Sequence, residues 1–208
     1  MKLDGEYTFD GPREEVWKLV RDPEVLATAL PGTQRLEIVG ENEYEGDINL
    51  RIGPVAGVFS GRLVVSDEEP PENCTLTVEG KGSPGFAKGT GHVNLSEIDE
   101  NTTLMKYEGE MQVGGRLASV GQRLLDTASK SMIKQGLDTL NEALKARIAA
   151  EEAGEEVDFQ APTETEFAAA VAKDMAGEIF SSKQIIWIVV VVVVLVLILV
   201  FILLANGG

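Results

Sequence analysis

The sequence predicts an α+β domain in which one curved antiparallel sheet of about seven strands closes around a long C-terminal helix, followed by a transmembrane helix. Three observations carry this expectation. Apolar residues recur at every second position, interrupted by short turns, from the start of the chain to about residue 114. The period then lengthens to that of a helix and holds to about residue 148. Finally, Ile185–Ala205 is a run of 21 residues with no charge, glycine or proline.

Residues 2–10 alternate Leu3, Gly5, Tyr7 and Phe9 against Asp4, Glu6, Thr8 and Asp10, the pattern of a half-buried strand. Gly11-Pro12 opens a helix with Glu14 and Glu15 in its first turn and Val16, Leu19 and Val20 as its inner stripe. Asp22-Pro23 starts a second short helix carrying Val25, Leu26, Ala29 and Leu30, and Pro31-Gly32 ends it. Strands follow at Leu36–Ile38, Tyr44–Ile52, Val55–Val65, Cys74–Val78, Gly89–Leu95 and Met105–Val113, separated by hairpin-length turns. From Arg116, apolar positions such as Leu117, Val120, Leu124, Ala128, Met132, Leu137, Leu140 and Leu144 mark the long helix.

The expected organisation is a ligand-binding domain over residues 1–149, an acidic linker over 150–184 and an anchor over 185–205. The linker begins with Glu151, Glu152, Glu155, Glu156 and Asp158, then gives way to an amphipathic pattern over 166–180 with Phe167, Val171, Met175 and Ile179 on one face. It reads as a flexible tether. A 21-residue helix is ~31 Å long, which matches the ~30 Å hydrocarbon core of a bilayer. Its valines favour a strand in water, but lipid leaves an unpaired strand's amides unsatisfied, so the segment is expected to be helical. The N-terminal residues lack the apolar region of a signal peptide, and Lys183 is the only cation beside the span. The expectation is a single-pass C-terminal anchor in the cytoplasmic membrane, with the domain facing the cytoplasm.

The formal net charge of −16 at pH 7 argues against nucleic acid as a partner and against adsorption to anionic headgroups. Cys74 is the only cysteine and His92 the only histidine, so neither a Cys/His zinc site nor a Cys-His or Ser-His pair is expected from this chain. Cys74 lies in phase with Leu76 and Val78 as a core residue, and His92 lies in phase with Lys88 and Asn94 on the solvent face. Gly80–Gly85 fits G-x-G-x-x-G, but Pro84 and a strand pattern follow where a dinucleotide site needs a helix, so it reads as a hairpin loop. The carboxylates fall on the polar phase of the strands and in turns, with no paired acid and base. Catalytic and metal residues are therefore expected to be absent.

The inward face is more informative. Gly46, Gly57, Gly61, Gly89, Gly91 and Gly109 stand where valine or isoleucine is the ordinary choice. Glycine lets a sheet bend around a helix, and it also leaves volume unfilled. The expected apolar pocket is lined by Leu26, Leu30, Tyr44, Ile48, Phe59, Met105, Tyr107, Met111, Leu124, Ala128 and Met132, a set of methionines and aromatics suited to an apolar ligand of adaptable shape. Val58 and Phe86 fall off the inward phase near glycine-rich turns; with Leu26–Leu30 they are expected to frame the mouth.

A family likeness is carried by PREEVWKL (Pro12–Leu19), Leu30-Pro31-Gly32, IGPVAGVFSGRLVVSDEEPP (Ile52–Pro71), Gly89-Thr90-Gly91 and GGRLASVG (Gly114–Gly121). On these motifs the chain resembles the carbon monoxide dehydrogenase G-subunit family, within the helix-grip (SRPBCC/START-like) superfamily. The resemblance implies a helix-grip fold with a hydrophobic pocket and association with molybdenum-containing CO dehydrogenase or a related hydroxylase at the membrane. It defines no catalytic residue. The leading expectation is a membrane-anchored accessory protein that carries a lipophilic ligand, a respiratory quinone such as menaquinone or ubiquinone or another lipid, with no covalent cofactor. The alternative is a non-catalytic docking or assembly subunit that recruits the dehydrogenase.

Overall fold

The computed structural model describes residues 1–180 apart from 31, 156 and 158. The alternating segments become seven strands: β1 (Lys2–Phe9), β2 (Thr33–Gly40), β3 (Glu43–Ile52), β4 (Val55–Glu69), β5 (Asn73–Gly82), β6 (Gly85–Asp99) and β7 (Thr102–Gly114). They form one antiparallel sheet in the order β1-β7-β6-β5-β4-β3-β2, so β2–β7 is a continuous meander and β1 crosses over to pair with β7. Two short helices interrupt the sheet between β1 and β2. In α1 (Arg13–Leu19), Pro12 precedes the first turn, Glu14 and Glu15 meet the positive end of the helix dipole and Lys18 the negative end. In α2 (Pro23–Ala29), the Asp22 carboxylate accepts hydrogen bonds from the amides of Glu24 and Val25.

After β7 the chain turns through a 3-10 helix, Gly115–Val120, before α3 (Gln122–Ala153) begins. The expected helix start at Arg116 is thus corrected by six residues. Gly121, at φ 92°, breaks the helical path, and a spacing of three between Leu117 and Val120 fits a 3-10 turn as well as an α-helix. At its other end α3 runs beyond the expected domain boundary at residue 149, and Gly154 stops it in the left-handed conformation. Gly80 and Gly82 lie within β5, so the hairpin turn is shorter than the glycine-rich stretch predicted. Val58 and Phe86 likewise sit inside β4 and β6.

Contacts divide the chain into two compact units, Met1–Val171 and Ala172–Gly208. A last helix, α4 (Glu164–Phe180), starts in the first. Among the described residues no helix is long and apolar enough to cross a membrane. The expected span, Ile185–Ala205, lies outside the described residues.

The core is divided. The larger cluster packs Phe9, Val16, Leu19, Ala29, Leu95, Met105, Leu140, Ala143 and Leu144 where α1, α2 and the C-terminal half of α3 meet the sheet. A second packs Val55, Phe59, Leu117 and Leu125 at the other end of α3. A third, Tyr44, Val65 and Cys74, lies on the central strands and shares Trp17 and Val93 with the first as flanking residues. Fully burying a large apolar side chain contributes about 1.5–3 kcal/mol, so each cluster is a separate clamp on the fold.

Candidate functional site

Strand register lines up the inward residues into rungs across the sheet. One rung runs Leu36, Gly46, Gly61, Gly80, Ala87, Val113 from β2 to β7. The next runs Tyr44, Leu63, Val78, Gly89, Met111, and the one beyond it Val65, Leu76, Gly91, Gly109, Leu3. Glycine therefore interrupts each of these three rungs, and a bare diagonal strip crosses the gripping face.

These glycines are of two kinds. A Cβ on Gly109 would lie 2.7 Å from the Thr90 carbonyl oxygen and 2.9 Å from the Gly91 Cα, and one on Gly89 would run into the Glu110 carbonyl oxygen. Neighbouring backbone passes too close there for any side chain, so these positions bend the sheet. Gly91 is different: a Cβ would meet only the Glu108 carbonyl oxygen, at 3.5 Å, and at Gly80 the nearest atom is 3.9 Å away. The atoms nearest to either belong to the sheet itself, and none belongs to α3. A side chain at either position would start clear of α3, with room on the gripping face. Val78, inward between them, is 39% exposed, so the space reaches solvent.

The helix side agrees. The backbone of α3 lies mostly against α1, α2, β1, β3 and the 3-10 turn. Ala128 and Ser131 are buried on α3, and Met132 is half-buried beside them. On the β1 side the seam is bolted. The Tyr7 hydroxyl donates to Asp138 Oδ1 at 2.9 Å, the Asp10 amide donates to Asn141 Oδ1 at 2.9 Å, and Asn141 Nδ2 donates to Asp10 Oδ2 at 2.8 Å. Burial first, and the Asp138 carboxylate second, push the Tyr7 hydroxyl well above the usual phenol range, so it stays a donor. On the other side the short helix α2 lies against both α3 and β2.

The expected lining residues divide among these surroundings. Phe59 and Ile48 belong to the cluster at the α3 N-terminal end, Met105 to the larger cluster and Tyr44 to the central one, where its hydroxyl donates to the Arg21 carbonyl oxygen at 3.2 Å. Phe59, Met105, Tyr44 and Ala128 are buried. Ile48, Met111, Leu124, Met132 and Leu26 are half-buried, and Leu30 is exposed. Tyr107 is half-buried with its ring over Gly5, its cross-strand partner, where an added Cβ would meet the Tyr107 Cζ at 2.6 Å. Phe86 covers Gly114 in the same way, which accounts for an exposed phenylalanine on the outer face. Sequence reasoning missed Gly80, although Val78, Gly80 and Gly82 keep the period of two through the supposed loop.

Chemically the interior is quiet. Inward positions from Tyr44 to Ile52, Val55 to Val65, Cys74 to Gly82, Ala87 to Leu95 and Met105 to Val113 hold Tyr44, Cys74 and Tyr107 as their titratable side chains. Burial pushes the Cys74 thiol up, away from the reactive thiolate. His92 lies on the outer face, its Nδ1 3.0 Å from the Thr75 hydroxyl. No group of His, Cys, Asp and Glu among the described residues could hold a metal ion. The outer face carries three open concavities, of about 870, 580 and 410 Å³. The largest is lined by polar side chains including Glu6, His92, Lys106 and Glu108.

A seven-stranded antiparallel sheet gripping one long helix is a START-like, helix-grip fold. Solved structures agree on the fold. A START superfamily protein from Mycobacterium smegmatis is 13% identical, with a TM-score of 0.54, covering 69% of this chain and 97% of its own. An aromatase/cyclase from a Streptomyces species is 14% identical, with a TM-score of 0.55, covering 75% and 99%. A conserved protein from Geobacillus kaustophilus is nearer, at 31% identity and a TM-score of 0.67 over 70% of this chain and 95% of that one. No curated protein matches. The model of the carbon monoxide dehydrogenase G-subunit (CoxG) family matches residues 5–145, and the chain belongs to that family.

Proposed function

We propose that the domain carries a lipophilic ligand, a respiratory quinone such as menaquinone, between the membrane and a molybdenum CO dehydrogenase or related hydroxylase, with residues 185–205 as its anchor. The observation that carries this reading is the missing side chains of Gly80 and Gly91 on the gripping face, where an added Cβ would meet no atom of α3 within 4 Å. A protein whose purpose was docking alone would gain stability by placing side chains there, since unfilled apolar volume costs packing energy. The inward face offers apolar walls and a few hydroxyls, which suits binding and orientation without acid–base chemistry. Native mass spectrometry and lipid extraction of the full-length protein test it. The expected result is a quinone or comparable apolar molecule retained by the protein in stoichiometric amount. An empty protein that also takes up no added menaquinone would leave the docking role as the better account.

A further inference from the structure

We infer that residues 159–167, in the stretch expected to be a free tether, form a strap that closes the route into the cavity and lifts to let ligand pass. The inference rests on the ligand-binding reading above. At Gly154, with φ 67°, the chain reverses out of α3, and the Glu155 amide donates to the Ala150 carbonyl oxygen at 3.0 Å. Phe159 then packs against the larger core cluster, which includes Ala29 of α2 and Leu140 of α3. Thr163 and Glu166 form a reciprocal cap: the Thr163 amide and hydroxyl donate to Glu166 Oε2 at 2.9 and 2.8 Å, and the Glu166 amide donates back to the Thr163 hydroxyl at 3.3 Å. These bonds hold the Glu166 carboxyl below its usual range. One residue on, Phe167 is only 7% exposed. Glu164 Oε1 accepts a hydrogen bond from Asn49 Nδ2 at 3.2 Å.

Asn49 fixes where the strap ends. It alternates with Ile48 and Leu50, which pack on the cluster at the α3 N-terminal end, so its own side chain lies on the opposite, outer phase of β3. The strap therefore runs from the larger core cluster to the edge of β3. The pairing of β2 with β3 ends at Thr33 and Ile48, so from Asn49 onward the edge of β3 has the α2–β2 turn beside it in place of a strand, and the Asn49 amide donates to the Gly32 carbonyl oxygen at 2.7 Å. This corner adjoins α2, opposite the bolted β1 seam, and Leu30 is exposed beside it. A seven-residue helix is a small element for a wall, and the strap anchors on both sides of it. An acidic, solvated tether has no use for a buried phenylalanine; a latch does.

The test uses full-length protein reconstituted in phosphatidylcholine vesicles containing menaquinone, with transfer to protein-free acceptor vesicles followed by extraction over time. Phe167→Asp is expected to speed protein-dependent transfer about threefold or more, because a carboxylate is costly to hold at a buried position. Asn49→Cys with Glu164→Cys in a Cys74→Ser background, bridged by a reducible bismaleimide, is expected to slow transfer about tenfold, with recovery on reduction. Equal rates in bridged and reduced protein that retains bound menaquinone would overturn the strap and leave the carrier reading standing. Failure of the two cysteines to bridge would overturn the docked strap by itself. Protein that neither binds nor transfers menaquinone in any form would defeat the carrier reading, and the strap with it.

Discussion

Gly91 and Gly109 face each other across β6 and β7, yet a methyl group added to each would have opposite effects. At Gly91 it makes one ordinary contact, with the Glu108 carbonyl oxygen at 3.5 Å; at Gly109 it strikes backbone. Gly91→Val should therefore fold, with a melting temperature within about 3 °C of the parent, because valine favours a strand and nothing opposes it. Its cost should appear as an approximately tenfold or greater loss of retained menaquinone, as the branched side chain fills the gap. Gly109→Val should lose about 1–3 kcal/mol of stability, the usual penalty of overpacking. Calorimetry and quinone extraction on both variants separate the roles; equal ligand retention in Gly91→Val and the parent would show that this glycine reserves nothing. The sequence pattern placed both residues on the inward face correctly but could not tell them apart. Which glycine bends the sheet and which leaves volume depends on how closely adjacent strands pass, and that distance is a property of the twisted sheet as a whole.

At the scale of elements, β1 and α3 are held by a pair of hydrogen bonds between Asp10 and Asn141, and Asn141 is 7% exposed. Asn141→Ala leaves the Asp10 amide and carboxylate without these partners in a half-dry seam, so about 2 kcal/mol should be lost in urea titration. A change below about 0.5 kcal/mol would mean that water replaces the amide freely. The strands were the most legible elements, because clean alternation in β3 and β4 leaves no other period to fit. The start of α3 was less so: Leu117, Val120 and Leu124 satisfy helical spacing whether or not Gly121 interrupts it. The strap was hidden by composition. The acidic run from Glu151 reads as solvated chain, while the contrary signal, Thr163-Glu164-Thr165-Glu166 after Pro162, is a capping box only a few residues long.

For the molecule as a whole, the sequence showed that a sheet grips a helix. It could not show that the core would break into separate clamps, because contacts such as Phe59 with Leu125 join residues far apart in the chain. The closure of the sheet also has a consequence for how the protein is made. The first strand of the sheet pairs with the last: the Met1 ammonium donates to the Met111 carbonyl oxygen at 2.6 Å, across a separation of 110 residues. During translation β1 must wait, unpaired, while the β2–β7 meander zips up hairpin by hairpin. Its alternating Asp4, Glu6, Thr8 and Asp10 suit a strand left so long with a bare edge, since charge blocks pairing with other nascent chains. Pulse-labelled hydrogen exchange during refolding should find β3–β5 amides protected before those of β1; simultaneous protection would mean that the ends of the chain meet early. The domain is therefore sealed from its beginning only when its sheet is otherwise complete, and a nascent chain stalled short of β7 has no shelter for its first strand.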